Sequence, residues 1–319
     1  MFGFKFSEHI RRPPFFLRVE TYLKKGKKAV NAHQEARHPR LVPLVVLDYG
    51  SFKSKIVQMN GLYKMVGLSI YEMWNGIRSI KKNPKNARTT ISATFLKEIE
   101  DYAKSLGAAD IGYTKVNPRH IFKGFHLPYP NAMVFTIEMD KAKIKTAPSK
   151  DSLKEVWRSY HTIGEVVNTI CERMRQNGFN AYPGHAIGGD VHYIPLAIDA
   201  GLGYSGKNGL LITRKNGPRV RLAAVFTDVE NLPFNIENEH EWVRDYCNSC
   251  DNCIKKCPAG AIFKNPKSHE NGDPIFIDHK KCAVPFSNEN GCTICIKVCP
   301  FSYGDYEHIK EIYLKQNTK

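Results

Sequence analysis

Along residues 94–107, TFLKEIEDYAKSLG, apolar side chains return every three or four positions, and the same period runs through LKEVWRSYHTIGEVVNTICERMRQNG at 153–178. Both read as amphipathic helices, the second stopped by Gly178. Elsewhere the pattern changes. ADIGYTKV (109–116), NAMVFTIEM (131–139) and FNAYPG (179–184) are short and β-rich, as strands are. IPLAIDAG (194–201) predicts a short helix ending at Gly201, and GLLIT (209–213) and RVRLAAVFT (219–227) flank Asn216-Gly217-Pro218 as the arms of a hairpin would. Helices set among antiparallel or mixed strands predict an α+β or mixed α/β fold, preceded by a mostly helical segment that runs to about residue 90.

The stretch AGLGYSGKNG at 200–209 matches two nucleotide fingerprints in outline. A phosphate loop needs Ser or Thr after the Lys, and Asn208 follows Lys207. A dinucleotide loop must leave a strand and open a helix, whereas this one follows the helix at 194–201 and leads into β-rich runs. Neither nucleotide reading survives its flanks.

Composition narrows the class. The 319 residues, 42% of them hydrophobic, suffice for a substantial core and predict two domains behind the basic segment, at 91–238 and 239–319. No run of 18 apolar residues occurs, and LVPLVVL at 41–47 is only strand-sized. Arg11 and Arg12 are followed by Pro13 and Pro14 rather than an apolar export region, so the expected location is cytoplasmic. Of the +16 net charge, +13 lies in residues 1–90, which carry 18 Lys or Arg against 5 Asp or Glu. Such a segment attracts polyanions, whether lipid headgroups, tRNA or an acidic electron donor. Within it, LYKMVGLSIYEMWNGIRSIKK (62–82) is amphipathic, and packing on the protein's own core is favoured over a membrane interface.

Eight of the nine cysteines fall between Cys247 and Cys299. Cys247-x2-Cys250-x2-Cys253-x3-Cys257-Pro258 is followed by Cys282-x9-Cys292-x2-Cys295-x3-Cys299-Pro300, the spacing of a bacterial two-cluster ferredoxin with one gap widened. In that scheme the fourth Cys of each group crosses to the other cube. Cys247, Cys250, Cys253 and Cys299 then hold one 4Fe-4S cluster, and Cys257, Cys282, Cys292 and Cys295 the other. A zinc ribbon uses only four thiolates in two pairs and leaves these three-plus-one groups unexplained. Cys171, alone in VVNTICERM, reads as a small buried hydrophobe.

Taken together, IPLAIDAGLGYSGKNGLLITRKNGPRVRLAAVFTD, CNSCDNCIKKCPAGAI and CAVPFSNENGCTICIKVCPF resemble the corrinoid-dependent reductive dehalogenases and, less closely, the epoxyqueuosine reductases. The resemblance covers roughly residues 95–305. It implies a nitroreductase-like domain that binds base-off cobalamin, with Gly201, Gly203, Gly206, Lys207 and Asn208 at the corrinoid, followed by the two-cluster ferredoxin-like domain. Electrons would come from a reduced ferredoxin- or flavodoxin-like donor and serve a small-molecule substrate. The same resemblance implies a tyrosine proton donor assisted by an arginine, falling at Tyr160 and Arg221, with Arg219 as the other arginine and Tyr193 and Asp190 as alternative donors. Gly206-Lys207-Asn208 leans toward the epoxyqueuosine reductases, which act on tRNA. Asp190-x-His192 is half of a cobalt-binding motif, but Pro195 stands where that motif has glycine, and it is read as coincidence.

Overall fold

In the computed structural model, residues 29–39, 67–235 and 237–317 are described, together with positions 19, 45, 48 and 49. Two strands, Asn131–Glu138 and Val220–Thr227, are buried at nearly every position, and such strands are stable only where both faces are covered. They form the centre of a four-stranded antiparallel sheet, with Ala108–Lys115 at one edge and the short Tyr182–Gly184 at the other. Their alternation divides the core. Val134, Leu222, Ala224 and Phe226 face one layer, while Met133, Phe135, Ala223 and Val225 face the other.

The second layer is filled by the long helix Lys150–Gln176, which buries Ile163, Val166, Val167, Ile170, Cys171 and Met174 at helical spacing. Ser149 caps its start in a reciprocal capping box with Ser152. Helix Ala93–Ser105 packs beside it through Ile99 and Ala103. The first layer receives the short helix Tyr193–Asp199 through Leu196 and Ala197. It also takes the helical run 67–79, whose Met73 and Ile77 are buried there. The described part of the amphipathic stretch 62–82 therefore packs on the protein's own core; residues 62–66 lie outside the described residues, as does most of the basic segment. Val45, Asp48 and Tyr49 are helical, where the run 41–47 has the length of a strand.

The expected hairpin around Asn216-Gly217-Pro218 does not form. Leu211–Ile212 pairs with Tyr204–Ser205, and only a single bridge, Thr213 to Gly217, spans that turn. The reason is burial: a strand apolar on both faces gains more from the centre of the sheet than from a two-residue partner. The hairpin lies one turn earlier, closed by Gly206 and Gly209, whose backbones bond across residues 206–210.

Beyond the sheet, helix Trp242–Cys250 opens the cysteine-rich part, which has a smaller core of Val243, Phe301, Tyr306 and Ile212. Gly217, at φ +54, lies against the Phe301 carbonyl so closely that a Cβ would collide with it. Arg219 reinforces the joint: 4% exposed, it donates to the carbonyls of Ser302 and Met139, each at 2.8 Å. It is a structural clamp.

Candidate redox centre and cofactor cavity

The cysteines collect in two places. Cys247, Cys250, Cys253 and Cys299 line one small pocket, closed by Tyr246, Ile212 and Phe301. In the other group Cys257, Cys282, Cys292 and Cys295 are mutual electrostatic neighbours. The left-handed backbone at Asp251 and Thr293 (φ 54 and 58) turns the chain between successive thiols in each group. Burial pushes the Cys247 thiol up to about 12 and the Cys282 thiol up to about 11. Among the described residues, no three His, Cys, Asp or Glu side chains converge on a single ion.

Main-chain donors also point at the sulfurs. The N–H of Ala261 donates to Cys257 Sγ at 3.3 Å, and that of Lys207 donates to Cys247. Lys207 reaches further. Its buried ammonium pairs with Asp251 at 2.9 Å and donates to the Asn248 carbonyl at 3.4 Å, holding the Asp251 carboxyl below its ordinary range. Asn208, 1% exposed, donates to the Cys295 carbonyl at 3.5 Å and accepts from Leu210 N–H. Adjacent residues of the glycine-rich hairpin thus hold one cysteine group each.

The glycines serve that hairpin. At Gly203 a Cβ would strike the Ile212 carbonyl across the paired strands, and at Gly201 it would meet the Asn235 side chain. At Gly206 it would meet Ile212 and Asn208. Of the five residues expected at the corrinoid, only Lys207 lines a large cavity.

That cavity, about 790 Å³, lies between the short helix, the glycine-rich hairpin and the cysteine-rich part. Ile194, Ile198, Phe276 and Ile277 give it apolar walls, and His192, Arg244 and His279 supply polar groups. Cys247 and Cys282, one from each group, reach its wall. The size and lining suit a large cofactor with apolar faces and a polar periphery. One wall comes from strands Ile262–Ser268 and Pro274–Ile277, a hairpin between Cys257 and Cys282 that the cysteine spacing did not announce. Arg37 anchors it, donating to the Pro274 carbonyl at 2.8 Å and pairing with Asp273 at 3.1 Å.

Tyr160 and Arg221 come together, but not on that wall. The Arg221 guanidinium lies 3.8 Å from the centre of the Tyr160 ring, a cation–π stack, and its Nε donates to Ser159 Oγ at 3.3 Å. Tyr160, like Leu210 and Cys295, packs against the buried cluster of Met139, Ile144, Val156 and Ile296. The alternatives are in the interior. Asp190 is buried and accepts from the Tyr182 hydroxyl at 2.7 Å, and the buried Tyr193 hydroxyl has no hydrogen-bond partner among the described residues. Burial, with the Asp190 charge, pushes Tyr193 well up.

A family model described as a 4Fe-4S dicluster domain matches residues 246–303. A tetrachloroethene reductive dehalogenase of Desulfitobacterium hafniense is 36% identical over 187 residues, 54% of this chain and 33% of the relative. An epoxyqueuosine reductase of Listeria monocytogenes is 26% identical over 265 residues, 69% of this chain and 68% of the relative. The fold is that of a solved catabolic reductive dehalogenase, with a TM-score of 0.70 at 19% identity over 96% of this chain and 48% of that one. The chain thus spans about a third of the dehalogenase it matches in sequence and half of the one it matches in structure. It is a homologue of the reductive dehalogenases, with epoxyqueuosine reductases as further relatives, in an α+β architecture that carries the cluster domain after the sheet.

Proposed function

We propose that this chain is a cytoplasmic corrinoid- and iron–sulfur-dependent reductase of the reductive dehalogenase type. The observation that carries the reading is the reach of both cysteine groups to the wall of one 790 Å³ cavity. Cys247, Cys250, Cys253 and Cys299 hold one 4Fe-4S cluster, Cys257, Cys282, Cys292 and Cys295 the second, and the cavity takes base-off cobalamin. When bound, cobalamin supplies a low-potential cobalt centre for reductive cleavage of a substrate bond, carbon–halogen among the candidates. Ile194, Ile198, Phe276 and Ile277 exclude water from it, and Lys207 with Asn208 keeps both cysteine groups in register with the wall. Tyr160 carries the transferable proton, and Arg221 holds a positive charge over the ring where a phenolate would form. The pair lies outside the cavity lining, and Tyr160 is half-buried on the long helix.

Anaerobic purification and reconstitution with cobalamin test the reading. Expected are about eight iron and eight sulfide per chain, one cobalamin, and a Co(II) paramagnetic signal without nitrogen superhyperfine splitting. Stoichiometric zinc, or no corrinoid uptake, would overturn it; uptake failing with both clusters present would leave a corrinoid-free electron-transfer protein.

A second reading, a tRNA-modifying reductase of the epoxyqueuosine type, is favoured by the Listeria relative, matched over about two thirds of each chain, and by Gly206-Lys207-Asn208. It calls for tRNA binding that weakens steeply with salt.

A further inference from the structure

We infer that Lys255, Lys256, Lys264 and Lys267 form the landing surface for an acidic one-electron carrier protein, an inference that rests on the two clusters proposed above. Lys255 ends the four-residue helix Asn252–Lys255 and Lys256 caps it, so both lie between Cys253 of one cysteine group and Cys257 of the other. Lys264 and Lys267 stand on the adjoining strand Ile262–Ser268, which packs against that helix.

All four are exposed, and among the described residues none has an acidic partner within ion-pair distance. Asp251, on the same segment, is already paired with buried Lys207 at 2.9 Å. Lys267 Nζ is held 4.6 Å over the Phe263 ring, which fixes its charge on the same strand.

Exposed lysines are ordinarily a solvated face. Position distinguishes these, because they surround the segment that carries a half-buried thiol of each cluster, so a carrier held by them stands next to a redox centre. Uncompensated like charge speeds encounter with a partner of opposite sign, and small electrostatic interfaces are typical of transient electron-transfer pairs. The step is a single electron: the reduced carrier is oxidised, one cube is reduced, and no bond forms or breaks.

The test uses the full chain with both clusters loaded and reduced flavodoxin as the acidic probe, with cluster bleaching followed by rapid mixing. The rate should fall steeply with ionic strength and drop about tenfold or more in a Lys255→Glu, Lys256→Glu, Lys264→Glu variant at low salt. Reduction by the viologen radical cation, which needs no acidic docking face, should be undiminished in that variant. A Lys→Gln triple at the same positions should fall between. A salt-independent flavodoxin rate in the unaltered protein, or equal flavodoxin rates in all three proteins, would overturn the inference. Loss of iron and of viologen reduction in the unaltered protein would instead strike at the cluster assignment.

Discussion

The sheet and the cysteine-rich part sit against one another but are held together by different means. In the sheet, every residue from Ala132 to Ile137 is buried, and two layers of apolar side chains close on it. The cysteine-rich part has a core of only a few large side chains, much of it the aromatic group Trp242, Tyr246, Phe301 and Tyr306 with ring centres 5.0–6.2 Å apart. The same part carries eight thiols, seven of them half-buried and Cys299 buried. The first region is stable through what it excludes, the second through what it binds, and a metal that binds only the folded form contributes its binding free energy to folding.

The comparison breaks most sharply at the thiols. Cys257→Ser should remove the cube it shares with Cys282, Cys292 and Cys295, halving iron content while the cube of Cys247 persists. If iron is lost from the Cys247 cube instead, ligation is not crossed. Iron chelation should likewise raise hydrogen exchange across 242–303 and leave the sheet amides protected.

A smaller effect, on the other side of the comparison, is expected from Phe135→Ala. It opens a cavity in a fully buried layer and should cost about 3–5 kcal/mol in denaturant titration, with iron stoichiometry unchanged in the folded fraction.

Next is Glu155, a carboxylate with no exposed side-chain surface. Burial alone would raise it, but Arg158, the Asp140 N–H and Lys143 overrule burial and bring it to about 2, from an ordinary 4.5. A depressed carboxylate stabilises above its ordinary value and loses that contribution as pH falls toward the folded one. Glu155→Gln should therefore cost about 2–3 kcal/mol at neutral pH, and the gap to the unaltered protein should close between pH 4.5 and 2.

The mildest change bridges the two regions. Lys207→Met removes a positive charge beside the Cys247 group and should make that cluster harder to reduce, by on the order of 1 kcal/mol, seen as a lowered midpoint in a paramagnetic-resonance titration. An unmoved midpoint would confine Lys207 to mechanical support.

These differences also explain what was legible in the chain. Strands and helices were visible because their periodicity is local: Ile99 and Ala103 recur as one helix face, and 132–135 is a continuous apolar run. The cysteine groups were visible because ligand spacing is itself the signal. The hairpin partner was not, since Asn216-Gly217 specifies a turn but not what the strand after it will pair with. The tasks of Lys207 and Asn208 were hidden for a related reason. Their partners Asp251 and Cys295 lie 44 and 87 residues away, and residue type alone does not name a distant acceptor. Tyr160 and Arg221 came only from resemblance, and the structure adds that the guanidinium lies over the ring face.

The hairpin that holds a cysteine group with each of two successive residues also makes its own length a functional quantity. One residue inserted between Lys207 and Asn208 lengthens the chain there by up to about 3.5 Å, so one anchor must slip or one group must move. Electron tunnelling falls off exponentially with separation. An insertion that leaves composition, charge and every cysteine untouched would therefore act on the rate of exchange between the cubes, which makes the loop a spacer whose tolerance is measured in residues.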